Sequence, residues 1–149
     1  MSTSLLIGSV FEAALRVLLL LDQIRPSPVD EEQISCIDFL AINSRDFNLL
    51  DRNLNGDGPF RLAEYSSKKR LISMAIKNMV IEGNVAYHSG PKGFTYSITD
   101  SGHSKAVLFN SEYSKEYRKA IVSLLVSYPT LDANKLKLEV YQIPLESLI

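Results

Sequence analysis

The segment Tyr96-Ser97-Ile98-Thr99-Asp100-Ser101-Gly102 reads as a strand that runs straight into a helix. Alternation places Tyr96 and Ile98 on one strand face, and Thr99 is a residue whose hydroxyl caps the first amides of a helix. Upstream, Val85 to His88 has the pattern of a partner strand to Phe94 to Ile98. Ser89-Gly90-Pro91-Lys92-Gly93 between them supplies the turn, so the region predicts a β-hairpin.

Three helices are expected before the hairpin. Ser9 with Glu12 three residues on forms a capping-box pattern, followed by Phe11, Ala14, Leu15, Leu18 and Leu19 at helical spacing. Leu20 and Leu21 extend that apolar face nearly around the helix, which suggests a central position, and Pro26 and Pro28 end it. Asp30 and Gln33 open a second helix through Ile34, Ile37, Leu40 and Ala41. Residues 43–60 read as a polar connection. A third helix from about Ser66 to Glu82 buries Leu71, Ile72, Ala75, Ile76, Met79 and Val80, and Gly83-Asn84 stops it with a left-handed cap.

After the hairpin, a fourth helix capped by Thr99 is expected to run through Ala106, Val107 and Phe109. A fifth carries Tyr113, Tyr117, Ala120, Ile121, Leu124, Leu125 and Tyr128 in one stripe, up to Pro129. The fold class is therefore mostly α with a small β-hairpin. The order of elements matches a winged helix-turn-helix plus C-terminal helices, with residues 1–128 as the winged-helix domain and 129–149 as a helical or extended tail. Leu131, Leu136, Leu138, Val140, Ile143 and Leu145 make that tail too apolar to float freely.

A length of 149 residues suits one domain. The net charge of −1 conceals an acidic balance of −5 over residues 1–60 and a basic balance of +4 over residues 61–92. Autonomous DNA-binding domains are usually strongly basic, so strong binding to nucleic acid without a partner is not expected. The lone Cys36 forms no internal disulfide. No apolar run approaches the length of a membrane span, and Met1-Ser2-Thr3-Ser4-Leu5-Leu6-Ile7 lacks a basic leader. A cytoplasmic protein with no membrane role is the expectation.

Catalytic and metal chemistry find little support. Asp51-Arg52-Asn53-Leu54-Asn55-Gly56-Asp57 resembles the start of an EF-hand loop. However, the position of the bidentate Glu is Leu62 and the aliphatic position is Gly58, so a polar turn is the better reading. His88 and His103 have no motif linking them to a nucleophile. Cys36 reads as a small buried hydrophobe, and Glu31 and Glu32 as acids complementing a helix N-terminus. We expect no enzyme activity, catalytic residue, cofactor or metal.

Two surfaces invite partners. Arg70, Ser73 and Lys77 fall opposite Ile72, Ile76 and Met79 on the third helix, with Arg61, Lys68 and Lys69 nearby and Lys92 in the hairpin turn. These cations are candidates for contact with the DNA backbone, or form a solvated helix face. On the fifth helix, Val122 and Val126 lie opposite the main stripe. They are covered either by the tail or by a partner. Tyr113, Tyr117, Val122, Val126, Leu131, Val140 and Ile143 are the corresponding docking candidates.

Phe11-Glu12-Ala13-Ala14-Leu15-Arg16-Val17-Leu18-Leu19-Leu20-Leu21-Asp22, Pro59-Phe60-Arg61 and Ile81-Glu82-Gly83-Asn84-Val85 resemble a bacterial family over about residues 9–127. It is the middle component of three-component ABC-ATPase systems, the small winged-helix subunit encoded beside an SMC-like ATPase in Lamassu-type anti-phage defence. The resemblance implies a non-catalytic accessory subunit. Its partners would be an SMC-like ABC-ATPase and a nuclease-type effector, near DNA. The alternative is a free-standing winged-helix transcriptional regulator that homodimerises through its first and fifth helices and binds an operator.

Overall fold

A computed structural model describes residues 9–55 and 61–141. Its described elements are six helices and one two-stranded sheet: α1 (Val10–Gln23), α2 (Glu31–Ile42), α3 (Arg61–Ile81), β1 (Val85–Gly90), β2 (Gly93–Ile98), α4 (Asp100–Ala106), α5 (Glu112–Ser127) and α6 (Ala133–Tyr141).

The helix starts follow the local chemistry. Ser9 Oγ accepts from the Glu12 amide at 3.2 Å. Asp30 and Gln33 complete a reciprocal capping box at 2.7 and 2.9 Å. α1 is central, as its wide apolar face predicts: Ala13, Val17 and Leu18 to Leu21 are buried, and α2, α3, α4, α5 and β2 all pack on it.

α3 starts at Arg61, five residues before the expected Ser66. It stops in a Schellman motif. The Asn84 amide donates to Met79 O at 2.9 Å and the Gly83 amide to Val80 O at 3.0 Å, with Gly83 at φ +81°. The hairpin pairs antiparallel from Val85 with Ile98 to Gly90 with Gly93. Both strands thus extend into the expected five-residue loop, leaving Pro91 and Lys92 as the turn.

Two tethers fix the hairpin to the helices. Val29, just before α2, exchanges both backbone hydrogen bonds with Tyr96, at 3.0 and 2.7 Å. At the other end the Thr99 amide donates to Asn84 O at 3.1 Å, while Thr99 Oγ1 caps α4 by accepting from the Gly102 amide at 3.0 Å. Gly102 is required by this junction. A Cβ there would press on the Asn84 carbonyl and come within 2.7 Å of Ile98 Cγ1.

Three expectations need correction. The connection after α2 is not simply polar, because Phe47, Leu49, Leu50 and Leu54 pack against the core. α4 ends at Ala106 rather than near Phe109; the Arg118 guanidinium donates to Ala106 O at 2.7 Å and to Phe109 O at 2.6 Å, binding one carbonyl at the helix end and one beyond it. The described part of the tail forms α6, which lies on α2 rather than over α5, with Leu136 and Val140 fully buried.

One buried feature has no counterpart in the sequence reading. Arg16 is fully buried, its Nε donating to Asp38 Oδ1 at 2.8 Å and its Nη1 to Glu12 at 3.1 Å. Tyr117 Oη donates to the same Asp38 Oδ1 at 2.7 Å. α1, α2 and α5 are thereby pinned by one carboxylate. Arg16 Nη2 and Asp38 Oδ2 are buried without a hydrogen-bond partner. Burial works against the Arg16 charge, yet Asp38 and the neighbouring tyrosines hold its pKa above the ordinary guanidinium value. For Tyr117, burial and then Asp38 push the phenol far up.

Candidate interaction surfaces

The cations proposed for DNA contact separate into distinct environments. Arg61 is the first residue of α3. Lys68 is half-buried beside Glu12, Leu54, Asn55, Ser111 and Tyr113. Lys69 Nζ meets Glu32 Oε2 at 2.9 Å and lies 5.6 Å from the Tyr65 ring centroid. Glu32 in turn accepts from Tyr65 Oη at 3.1 Å, and that hydroxyl is 3.4 Å from Cys36 Sγ.

This chain ties α2 to α3 and tunes its members. Burial alone would raise the Glu32 pKa, but hydrogen bonding and the charge of Lys69 override it and hold it below its ordinary value. Burial is the main force raising the Cys36 thiol and the Tyr65 phenol. A buried thiol with a raised pKa suits the small-hydrophobe reading rather than a nucleophile.

Arg70 and Lys77 are exposed on α3, and Lys92 is exposed at the hairpin tip. Opposite them Ile72, Ile76 and Met79 are buried, as the helical spacing requires. The exposed face is not purely basic, however. Met74 and Ile81 are 47% and 83% exposed and lie in line with Arg70 and Lys77. Beside them Tyr87 and Phe94 pack edge to face, with ring centroids 5.7 Å apart, and are 59% and 54% exposed. The strand register places Tyr87, Phe94 and Tyr96 on one face of the hairpin. That face and α3 form a groove of about 430 Å³ lined by Ile76, Lys77, Val80, Ile81, Tyr87, Phe94 and Tyr96.

A second apolar groove lies between α1, the end of α3 and the segment after α4. Phe11, Ala14, Leu15, Met79, Leu108 and Phe109 contribute to it, with Glu82 and Lys105 as its charged members. Phe11 and Leu108 are the most exposed of its apolar members, at 69% and 76%.

The docking candidates also divide. Val122 and Val126 are exposed on α5, and the described part of the tail leaves them open. Tyr117, Leu131 and Val140 instead belong to the chain's own core. Tyr113 is half-buried; it stacks on Tyr117 and donates to Asn55 Oδ1 at 2.7 Å. Ile143 lies outside the described residues.

Met74, Ile81, Tyr87 and Phe94 went unnoticed in the sequence as surface residues. The first two share the period of Arg70 and Lys77, a signal that was present. The exposure of the aromatics depends on how the hairpin meets α3, which no local pattern specifies.

The Asx-rich turn is held by its own side chains. Asn53 is buried; its Oδ1 accepts from the Arg45 and Asp46 amides at 2.9 and 3.3 Å, and its Nδ2 donates to Asp46 at 3.2 Å. Residues 56–60 of the EF-hand-like stretch lie outside the described residues. His88 Nε2 is 2.8 Å from Ser97 Oγ on the exposed hairpin, and His103 Nδ1 is 2.6 Å from Asp22 Oδ1. Among the described residues no group of His, Cys, Asp and Glu is arranged to hold a metal ion, and no helix is long and apolar enough to cross a membrane.

The family model "ABC-three component (ABC-3C) system Middle Component 2" matches residues 6–147 of the chain. No curated protein and no solved structure matches it.

Proposed function

The chain belongs to the Middle Component 2 family of ABC-three component systems, and from that premise we propose that it is a non-catalytic subunit bridging an SMC-like ABC-ATPase and a nuclease-type effector close to DNA. Lamassu-type anti-phage defence is the setting we assign to it. Membership itself makes the chain an accessory component of an ABC-ATPase system.

The observation that carries the bridging role is the distribution of exposed apolar side chains. Most of α1 and α2 is buried in the chain's own core, from Val17 to Leu21 and from Ile34 to Ile42. Among the described residues, large apolar groups nevertheless remain open in several places, including the α3–hairpin groove, the α1–α3–α4 groove and the Val122–Val126 face of α5. Apolar surface of this kind marks interaction sites, and a bridging subunit needs more than one. We read α2, α3 and the hairpin as a winged helix-turn-helix, on the support of their order and of the Val29–Tyr96 bridge between the α2 entry and the hairpin. Arg70, Lys77 and Lys92 give that unit an exposed basic side, complementary to DNA backbone or to an acidic surface of a partner.

The test is co-expression of the chain with its neighbouring genes and measurement of the mass of the purified assembly. The expected result is a stable complex with a large ATPase. Val122→Glu with Val126→Glu is expected to remove one subunit from it while leaving the thermal midpoint of the isolated chain unchanged. A homodimer alone that shifts a specific duplex with steep salt dependence overturns the proposal in favour of a transcriptional regulator.

A further inference from the structure

The geometry points to the groove between α3 and the hairpin as the docking site for an acidic amphipathic helix of a partner protein. This rests on the accessory-subunit reading and specifies the chemistry of one of its contacts. Arg70, Met74, Lys77 and Ile81 are spaced four, three and four residues apart, so they form a single line along α3. At 1.5 Å rise per residue the line is about 16 Å long, roughly three turns of a helix laid beside it. Cations and apolar groups alternate along it, all exposed. Immediately beside the line is the groove, whose lining is apolar or aromatic except for Lys77.

The charge pattern selects the occupant. Arg70 and Lys77 make no ion pair among the described residues, in contrast to Lys69 with Glu32. The carboxylate of Glu82 belongs to the other groove. A second copy of the chain in a two-fold pairing on this face would add its own Arg70 and Lys77 and no groove carboxylate to pair with them, an accumulation of like charge. A DNA backbone would match the cations but leave Met74, Ile81, Tyr87 and Phe94 facing phosphate and water. An acidic amphipathic helix satisfies both sets: its apolar side chains fill the groove, as in helix-in-groove recognition, and its carboxylates meet Arg70 and Lys77.

Orientation follows from the far end of the groove. Tyr96 pairs with Val29, two residues before Glu31, so this end of the groove adjoins the acidic first turn of α2. That end is therefore unfavourable for acid. The occupant's carboxylates belong along the Arg70–Lys77 side and its apolar face toward Tyr87 and Phe94.

The experiment uses the co-expressed assembly captured through a tag on another subunit. Arg70→Glu with Lys77→Glu, and separately Tyr87→Ala with Phe94→Ala, are compared with the unaltered chain for the amount retained after a salt wash. At least a tenfold loss is expected for each pair, with the thermal midpoint of the isolated chain unchanged for the charge pair, whose side chains are exposed. A photo-crosslinking benzophenone amino acid placed at Phe94 is expected to attach to a partner helix bearing two or more carboxylates within two turns. Retention of both variants at the level of the unaltered chain overturns the inference and leaves the accessory reading standing. Crosslinking to nucleic acid or to another copy of this chain also overturns it. Failure of the unaltered chain to enter any assembly overturns the accessory reading, and this inference with it.

Discussion

Replacing Asp38 with Ala should be the most damaging single change in the described core. The carboxylate accepts both from the fully buried Arg16 at 2.8 Å and from the buried Tyr117 hydroxyl at 2.7 Å. Removing one partner of a buried ion pair costs about 3–5 kcal/mol, because the other charge stays behind unpaired. Glu12 at 3.1 Å retains part of the Arg16 pairing, which favours the lower end, about 3 kcal/mol. Orphaning the Tyr117 hydroxyl adds ~1–3 kcal/mol. The two effects share one network and do not add in full, so we expect ~4 kcal/mol in total. For a chain of this size that lowers the thermal midpoint by about 8–16 °C.

Tyr117→Phe should cost only about 1.5–2 kcal/mol, since Asp38 keeps Arg16. The triple variant Arg16→Met, Asp38→Leu, Tyr117→Phe should recover most of the stability lost by the single Asp38 change, because buried ion pairs are often replaceable by apolar groups. Arg16 Nη2 and Asp38 Oδ2 already lack partners, which makes such recovery more favourable here. Urea unfolding followed by far-ultraviolet circular dichroism measures all three. An Asp38→Ala loss below about 1 kcal/mol refutes the reasoning, as does a triple variant no more stable than Asp38→Ala.

Two further predictions concern the junction and the tyrosines. Gly102→Ala should destabilise the chain by about 1–3 kcal/mol, in the range of core overpacking, because the new methyl meets the Asn84 carbonyl and Ile98; unchanged urea unfolding contradicts this. Burial, above all, raises the phenols of Tyr113 and Tyr128 to about 12 and those of Tyr65 and Tyr117 further. A folded pKa above the unfolded value of about 10 gives stability that is present below pH ~10 and lost as pH rises through the folded pKa. Tyrosinate absorbance for these groups should therefore appear together with alkaline unfolding; full ionisation while the helical signal persists contradicts the buried placement.

Much of the fold was legible because local chemistry and burial agreed. Asp30 with Gln33, Thr99 with Gly102 and Gly83 with Asn84 each act within a few residues, so their motifs mark the ends of α2, α4 and α3 directly. The sequence was silent where the decisive contact is distant. Arg16 stands in an apolar helix with nothing nearby in sequence except Glu12 to announce that it is buried; its main partner, Asp38, comes from α2. The packing place of α6 was hidden for a similar reason. Its apolar spacing was plain, but its place on α2 depends on packing. Gln33 Nε2 also reaches the Leu131 carbonyl at 2.7 Å across 98 residues.

The candidate surfaces were half legible. The period of α3 showed which cations point outward, but Lys69 looked free only while Glu32 and Tyr65 were unplaced. On α5, the outward position of Val122 and Val126 followed from spacing. That the described part of the tail leaves them open could be known only once α6 was placed on α2.

The two tethers of the hairpin bear on how tightly its groove can hold anything. A two-stranded hairpin alone is only marginally stable in water, and ordering one at the moment of contact would weaken association. Here Val29 clamps β2 through Tyr96, and Asn84 joins the end of α3 to the start of α4. The walls of the groove are thus set before a ligand arrives, and the ordering entropy of binding falls mainly on the ligand. Truncating or stiffening the incoming helix should then change affinity more than loosening side chains on this chain does.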